Sequence, residues 1–329
     1  MPANLPPDYY AAERRYRETS DVSEKIKILR EMLAIMPKHK GTEHLQGDLK
    51  RKISKLQSQA KRKSVKSRGS SLYHIPKEGA GQAVLVGPPN SGKSSILKAL
   101  TNADTTVADY PFSTFKPVQG MVNFEDIQIQ LVDLPPVSSQ FNESWLFNII
   151  RLSDLVVLVV DLTVDFLDIQ LSEMMKILNE NKIVLKRRGE KNPQSSIAVK
   201  SCLIFGTKQD LSGSEQGLSV LKSSFGGEFP VISGSVKSAE DMERVAEAIF
   251  KGLDVIRVYT KPPGKKFDLG RPYILPAGST LLNAAEVIHK EFVQTMKYAR
   301  IWGEDKYSGQ RVDREYILQD RDVIEIHTR

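Results

Sequence analysis

Near its start the chain has two segments in which apolar residues recur every three or four positions. The first follows a capping-box pattern, Asp21 with Glu24, in which a side-chain oxygen accepts a backbone N–H at a helix start. A break at 37–41 separates the two segments. They predict an antiparallel helical hairpin over residues 21–66, whereas residues 1–20 are predicted to be weakly ordered. The apolar stripes are Ile26, Leu29, Met32, Leu33 and Met36, then Leu45, Leu49, Ile53 and Leu56.

Residues 80–254 alternate between short apolar runs, typical of buried strands, and longer amphipathic segments, typical of helices. This alternation predicts an α/β domain with a mainly parallel sheet and helices on both faces. A polar, basic stretch at 181–201 is interpreted as an insertion before a strand. Strands are expected at 82–86, 127–132, 155–160, 202–205 and 229–232, and helices at 93–101, 141–151, 168–179 and 239–252.

A second boundary is predicted at 261–264, where Lys-Pro-Pro-Gly interrupts the pattern. Beyond it, residues 262–329 are expected to form a separate small domain. Its predicted elements are strands at 273–275 and 323–327 and a helix at 281–291.

Charge is unevenly distributed along the chain. The 329 residues carry 47 Lys and Arg against 40 Asp and Glu, a net charge of +7. Nine of the basic residues fall within 50–68, which contains no acidic residue. Two interpretations stand: a solvated helix end and linker, or a contact with nucleic-acid phosphates driven by counterion release.

Cysteine content and hydropathy exclude several classes. With Cys202 alone, no intramolecular disulfide and no cysteine-based metal cluster can form. The longest aliphatic run, 155–160, is too short to cross a bilayer, and the N-terminus lacks a signal-peptide pattern. We therefore expect a cytoplasmic protein with neither a membrane nor DNA as a partner.

The strongest chemical signal is a loop between a predicted strand and a predicted helix. Gly87-Pro-Pro-Asn-Ser-Gly-Lys-Ser94 matches G-x-x-x-x-G-K-[ST] in the context that this pattern requires. Such a loop turns its backbone N–H groups inward around a β-phosphate, at the positive end of the helix. Lys93 is expected to reach the β- and γ-phosphates, and Ser94 to ligate Mg²⁺. The expected nucleotide contacts of the loop are Gly87, Pro88, Pro89, Asn90, Ser91, Gly92, Lys93, Ser94 and Ser95.

A second motif, Thr207-Lys-Gln-Asp210, follows the predicted strand 202–205, at the rim where a base would lie. Asp210 can accept two hydrogen bonds from the N1–H and the exocyclic amine of guanine, whereas adenine offers no such pair of donors. Lys208 is expected to pack its aliphatic stem over the base. Backbone N–H groups around Ser233 and Gly234, after the next strand, are expected to reach the guanine O6.

Two further residues are predicted to complete a magnesium site with Ser94. Asp133 ends the apolar strand at 129–132, the position in which a carboxylate holds the metal, usually through water. Thr114 lies in the loop 109–115 that precedes that strand. Its hydroxyl can bind Mg²⁺ only when a γ-phosphate draws the loop in.

Together these motifs resemble the Obg superfamily of GTPases, and within it the developmentally regulated GTP-binding (DRG) branch. Residues 110–114 resemble the family's G2 loop, and Asp133-Leu-Pro-Pro136 lies where its G3 element is expected. Residues 272–328 resemble a TGS domain, notably at 274–280 and 319–326. The resemblance implies a P-loop GTPase domain at 80–254 and a ubiquitin-like β-grasp TGS domain at 262–329.

The resemblance also implies ligands and partners. It implies GTP or GDP with Mg²⁺ at the site, and association with the ribosome or ribosomal RNA through residues 50–68 and the TGS domain. A small regulatory protein is a further partner that it allows.

The chain departs from the family pattern at G3. Pro136 replaces a glycine whose N–H normally donates to the γ-phosphate, and proline has no N–H. Val137 lies where Ras-like proteins carry a catalytic glutamine, so no side chain there can orient water. Asn90 matches a P-loop Asn with which relatives recruit K⁺, although a simple turn residue is an equal alternative. The predicted catalytic residues are Lys93, Thr114 and Asn90.

Two functions of different classes follow. The first is a slow GTPase that works on the ribosome. The second, motivated by Pro136, is a non-hydrolysing guanine-nucleotide-binding scaffold that docks on RNA. Use of ATP is a third and weaker alternative, because the base motif disfavours adenine.

Overall fold

A computed structural model of the chain describes residues 6–19, 22–36, 46–49, 51–53, 75–101, 106–107, 116–137, 143–186, 197–264, 270–304 and 306–328. The chain divides into two units, Met1–His74 and Ile75–Arg329. None of the helices within these ranges is both long enough and apolar enough to cross a membrane.

The N-terminal unit is built around two packed helices, α1 (Pro7–Glu18) and α2 (Val22–Ile35). The prediction that residues 1–20 are weakly ordered was wrong for α1. This helix starts at Pro7, and the fixed φ of proline suits the first turn of a helix. Short-range periodicity missed α1 because few of its side chains are apolar. Tyr9 and Ala12 nevertheless pack into a core with Leu29 and Met32 of α2.

The first helix of the predicted hairpin corresponds to α2. Residues 46–49 and 51–53 are also helical, and Leu49 is buried in the same core. Asp21, the predicted cap, and most of the basic run at 50–68 lie outside the described residues.

The second unit begins with an eight-stranded sheet in the order β2-β3-β4-β1-β5-β7-β6, with β8 also paired to β7. All pairs are parallel except those that join β2 to β3 and β3 to β4. Its strands are β1 (Gln82–Val86), β2 (Thr106–Val107), β3 (Val118–Phe124), β4 (Ile127–Asp133), β5 (Leu155–Asp161), β6 (Ile183–Lys186), β7 (Ala198–Thr207) and β8 (Val231–Ser233).

Five helices accompany this sheet: α3 (Lys93–Thr101), α4 (Ser144–Leu152), α5 (Leu167–Glu180), α6 (Ser214–Phe225) and α7 (Ala239–Leu253). The predicted α/β architecture is confirmed. Strands β1 and β5 are buried along their whole length, as expected of central parallel strands covered on both faces. The predicted insertion at 181–201 needs correction, because β6 and the start of β7 are regular strands of the main sheet.

The C-terminal sheet has five strands in the order β10-β9-β13-β11-β12. They are β9 (Val255–Thr260), β10 (Tyr273–Pro276), β11 (Met296–Trp302), β12 (Gln310–Val312) and β13 (Asp322–Thr328). Since β9 pairs with β10 and β13, this sheet starts at Val255 and not at the predicted residue 262. Helices α8 (Leu281–Ile288) and α9 (Lys290–Thr295) replace the single predicted helix, because His289 has an extended backbone.

One buried arginine ties the two sheets of this unit together. The Arg257 side chain, on β9, is 3% exposed and pairs with Glu125 and Asp126 at the turn between β3 and β4. It also pairs with Asp320 of its own domain at 2.7 Å. The C-terminal sheet is thereby attached to the hairpin whose second strand ends at Asp133.

Candidate nucleotide-binding site

The predicted phosphate loop lies between β1 and α3, at the carboxyl end of the central strand. Asn90 (φ 61°) and Gly92 (φ 95°) have left-handed backbones, which fold the loop back over the start of α3. Gly87 is required for close approach, because a Cβ there would clash with the carbonyl oxygen of Val159 on β5. The first N–H groups of α3 have no intrahelical partner, so they can donate to an anion.

Lys93 is held inside this loop. Its side chain is buried, and Nζ donates to the carbonyl oxygens of Gly87 at 3.0 Å and Pro88 at 2.8 Å. Burial lowers the pKa of Lys93 to about 8, although the nearby Asp133 opposes the shift. The ammonium is therefore desolvated and positioned, which strengthens its attraction for a phosphate.

Asp133 and Ser94, two of the predicted magnesium ligands, contact each other. The Ser94 hydroxyl donates to Oδ2 of Asp133 at 2.5 Å, and Asp133 is buried. Burial raises the pKa of Asp133, against the opposing effects of Ser94 and Lys93. The other carboxylate oxygen, Oδ1, is buried without a hydrogen-bond partner among the described residues.

This pair fits a hydrated Mg²⁺ ion, which binds carboxylate and hydroxyl oxygens and keeps several waters. No group of three or more His, Cys, Asp or Glu that could hold a metal occurs among the described residues. A cation at Ser94 and Asp133 would need further ligands, which water and phosphate oxygens can supply. Thr114, the third predicted metal ligand, lies outside the described residues.

Thr207 joins the phosphate loop to the base-binding segment. Its buried hydroxyl lies 2.8 Å from the carbonyl oxygen of Ser91 and 3.0 Å from that of Val160. Thr207 was predicted to contact the nucleotide, but its side chain is used inside the protein. It fixes the distance between the two halves of the site.

Lys208 and Asp210 follow β7, at the edge of the site where the base is expected to lie. Lys208 has a left-handed backbone (φ 61°) and its ammonium pairs with Asp161, the last residue of β5. Asp161 is itself held by the backbone N–H and the hydroxyl of Thr163, at 3.0 and 2.7 Å. Asp161 was not singled out by sequence reasoning. The signal was present, since Asp161 ends an apolar strand in the same way as Asp133.

Asp210 is at the surface, with its carboxylate 2.8 Å from the ammonium of Lys237. Hydrogen bonds from Lys237 and from the side chain of Ser235 lower the pKa of Asp210, so the carboxylate is ionised at neutral pH. An ionised carboxylate is the acceptor that guanine recognition requires.

The expected contact of Ser233 and Gly234 with the guanine O6 stays a prediction, although several N–H groups of this loop are engaged within the protein. The N–H of Gly234 already donates to the carbonyl oxygen of Gly206 at 3.0 Å, and the N–H of Ser235 donates to the carboxylate of Asp241 at 2.8 Å. Ser233 is the last residue of β8. The residues that contact the Asp210 side chain are Ser235 and Lys237. The N–H between them, at Val236, has no acceptor among the described residues.

The segment after Asp133 shows how Pro136 is placed. Leu134, directly after β4, is still hydrogen-bonded to the main sheet, because its N–H donates to the carbonyl oxygen of Leu85 at 3.3 Å. Pro136 is half-buried and Val137 is buried. Pro136 has no backbone N–H, and neither residue has a polar side chain that could donate to a phosphate or orient a water molecule.

Two family models match the chain. Residues 82–188 match a 50S ribosome-binding GTPase family, and residues 256–328 match the TGS domain family. An uncharacterized GTP-binding protein of Methanocaldococcus jannaschii is 29% identical, over 93% of this chain and 92% of its own length. Developmentally-regulated G-protein 1 of Arabidopsis thaliana is 26% identical, over 93% of this chain and 91% of its own. The G domain of the T. maritima FeoB iron transporter is 24% identical with a TM-score of 0.39, covering 52% of this chain and 98% of that chain.

Fold, loop geometry and the two family models define a P-loop protein with a GTPase domain followed by a TGS domain. The predicted class is confirmed. More narrowly, the relatives that match the chain over most of its length include developmentally regulated GTP-binding proteins.

Proposed function

We propose that this chain is a slow GTPase that binds guanine nucleotides with Mg²⁺ and associates with ribosomal particles. The observation that carries the nucleotide part is the placement of Lys93. It sits desolvated between two loop carbonyls, 2.8 and 3.0 Å away, beside the Ser94–Asp133 pair. An ammonium held in this way is matched to a diphosphate.

Each described residue has a specific role in this proposal. Lys93 leaves its two carbonyl partners to bind the β- and γ-phosphates, and the N–H groups at the start of α3 hold the β-phosphate. Asp210, held ionised by Lys237 and Ser235, accepts the N1–H and amine of guanine. A Mg²⁺ ion at Ser94 and Asp133 would neutralise phosphate charge. Asn90, in its left-handed turn, is the residue that would bind K⁺.

Pro136 favours a second candidate, a scaffold that binds GTP and GDP without hydrolysing either. The missing N–H removes one charge-assisted hydrogen bond to the γ-phosphate, a contact worth about 1.5–3 kcal/mol. By this argument GTP and GDP differ less in affinity than in a protein with glycine at this position. Pro136→Gly restores the donor and is expected to increase the preference for GTP by about tenfold or more.

A phosphate-release assay with GTP, Mg²⁺ and K⁺ separates the two candidates. The slow GTPase predicts release above that of Lys93→Ala, which removes the phosphate-binding ammonium. Release that equals Lys93→Ala, with and without ribosomes, would eliminate the GTPase and leave the scaffold. Replacing K⁺ by Na⁺ tests Asn90 separately, because only a K⁺-dependent site loses activity in that exchange.

The proposed ribosomal contact is supported by charge. Nine Lys and Arg without an acidic residue lie between 50 and 68, five of them within 61–68. Of the described part, Arg51 and Lys52 are exposed. Binding to phosphates through such residues weakens steeply with salt.

Co-sedimentation with ribosomal particles at several KCl concentrations tests this contact. Changing the five basic residues of 61–68 to Glu is expected to reduce binding and its salt dependence. Co-sedimentation that is unchanged in this variant would refute a role for the segment. Lys176→Glu with Lys222→Glu, on exposed positions of α5 and α6, serves as a control for a general change in charge.

A further inference from the structure

The hairpin formed by β3 and β4 connects the nucleotide site to the C-terminal domain. At the site, its first residue Val118 is paired with its last residue Asp133. At the other end lies the tip, the turn at Glu125 and Asp126, which is about 20 Å away at roughly 3.3 Å per strand residue. The two strands are paired at all seven positions between these ends. The hairpin is therefore one continuous element, so the place of its tip affects the place of Asp133.

The C-terminal domain holds the tip from the side opposite the nucleotide. Arg257 on β9 pairs with Asp126 at 3.0 Å and also with Glu125. Tyr259, two residues further along β9, donates its hydroxyl to Asp126. Arg321 pairs with Glu125 as well. Both carboxylates of the tip are thus bound by side chains of the C-terminal domain.

Arg257 is the centre of these contacts. Its own position is fixed by Asp320, which accepts from the backbone N–H of Arg257 and from Nη2, both at 2.7 Å. The guanidinium also lies 4.8 Å from the ring centroid of Phe250 on α7 and 5.8 Å from that of Phe124 on β3. These two rings stack on each other with centroids 4.9 Å apart. A buried guanidinium is a rigid fork, so one held on so many sides fixes where the tip lies.

At the nucleotide end, the hairpin sets the place of a predicted magnesium ligand. Ser94 holds one carboxylate oxygen of Asp133 at 2.5 Å, and the other oxygen is buried without a partner among the described residues. Asp133 is available to a metal beside Ser94 only while β4 keeps its position. Beyond Val118 and Gln119, which pair with β2, the outer edge of β3 is unpaired within the described part of the chain. The contacts at the tip are therefore a substantial part of what fixes the outer strand.

We propose that Arg257 is a positioning residue of the nucleotide site, which holds Asp133 in place through the β3–β4 hairpin. Through this contact the C-terminal domain slows the release of GDP bound with Mg²⁺. A partner that drew the C-terminal domain away from the tip would speed that release. Coupling between two sites is reciprocal, so bound GDP and Mg²⁺ should also tighten the contacts at the tip. This inference rests on the proposed binding of guanine nucleotides.

The release of a fluorescent GDP from the full chain, chased with unlabelled GDP, tests the proposal. Arg257→Met should speed release by at least about fivefold in Mg²⁺, the lower end of typical coupling between sites. In EDTA the same variant should stay within about twofold of the wild type, because Asp133 then has no metal through which to act. A general loss of structure would speed release in both conditions. Each chain is measured well below its own thermal transition.

Two further variants make the result specific. Arg321→Met removes an exposed partner of the same Glu125 and should stay within about twofold of the wild type in Mg²⁺. Tyr259→Phe keeps the ring and removes only the hydroxyl that binds Asp126, so it should speed release about two- to threefold in Mg²⁺ and not in EDTA. Tyr259→Phe also decides the question if Arg257→Met does not fold.

Hydrogen exchange of the chain without nucleotide gives a second readout. Arg257→Met should speed exchange at the N–H of Leu134, which follows Asp133 and is bonded to β1. The comparison is made relative to amides of β5, which report on unfolding of the whole sheet. Arg321→Met should leave this ratio unchanged.

The proposal is overturned if Arg257→Met and Tyr259→Phe release GDP at the wild-type rate in Mg²⁺. It is also overturned if the acceleration is equally large in EDTA, or if it persists when Asp133→Ala is present as well. These outcomes presuppose a wild type that retains GDP. A wild type that retains none would instead refute the proposed nucleotide binding, so the two failures are distinguishable.

Discussion

Replacing Arg257 by Met removes a charge and keeps an apolar stem of similar length. The Arg257 side chain is 3% exposed, whereas the side chains of its partners Glu125, Asp126 and Asp320 are 41, 36 and 34% exposed. Breaking a fully buried ion pair costs about 3–5 kcal/mol and an exposed pair about 0–1. With a buried cation and partly solvated carboxylates, we expect a loss of about 2–3 kcal/mol. Part of it is the guanidinium contact with Phe250, 4.8 Å from the ring centroid.

Differential scanning calorimetry measures this effect. A loss of about 2–3 kcal/mol in a unit of this size should lower Tm by about 5–10 °C. Arg321 provides a matched control, because it pairs with the same Glu125 but has a 59% exposed side chain. Arg321→Met should change Tm by only about 1–2 °C. Equal effects of the two substitutions would refute the argument from burial.

The difference in stability between the wild type and Arg257→Met should depend on pH, with a defined sign. A hydrogen bond from Arg257 lowers the pKa of Glu125. Burial alone would raise the pKa of Asp126, but hydrogen bonds from Tyr259 and Arg257 lower it. A carboxyl group with a lowered folded-state pKa stabilises the protein above its unfolded value, near 4, and this contribution is lost as pH falls through the folded value. The stability difference between wild type and Arg257→Met should therefore shrink below about pH 4.

Three further predictions concern the nucleotide site. Because the free Lys93 has a pKa of about 8 and phosphate binds its protonated form, GDP affinity should fall about fourfold from pH 7 to 8.5, and Lys93→Arg should abolish this dependence. Asp210→Asn replaces one acceptor oxygen by an amide donor, so it should weaken the binding of GDP at least tenfold and favour xanthosine diphosphate in a competition assay. An unchanged preference for GDP would count against base recognition by Asp210. Gly87→Ala should abolish GDP binding or folding, because the added Cβ clashes with Val159. Gly227→Ala has open space at its Cβ and should leave both intact. Fluorescence titration measures the binding and circular dichroism the folding.

The main sheet was predictable because its central strands are buried on both faces and appear as continuous apolar runs. Strand β5 (Leu155–Asp161) and the helix α7 (Ala239–Leu253) were located to within a few residues. Helix α1 was not, because its amphipathic signal is weak and its stability comes from packing on α2. Strand β9 (Val255–Thr260) was not predicted, and its residues were left between the two predicted domains. Its pairing with β13 joins residues more than 60 positions apart, which local patterns do not reveal.

The phosphate half of the site was predictable because one loop supplies its backbone, its lysine and its hydroxyl. The base half combines three separate strand ends. Lys208 and Asp210 were found by their motif, but the pairing of Lys208 with Asp161 and of Asp210 with Lys237 appears only once β5, β7 and β8 lie side by side. Within the 233–237 loop, the sequence could not show which N–H groups are already engaged in the protein.

Titration calorimetry of the wild-type chain with GDP and ADP, both with Mg²⁺, tests the central assignment most directly. Lys93 and the phosphate loop treat the two diphosphates alike, so any difference in affinity reports on Asp210 and its neighbours. The site described here predicts GDP binding at least a hundredfold tighter than ADP, a difference of about 2.7 kcal/mol. Equal affinities, or no binding of GDP, would contradict it.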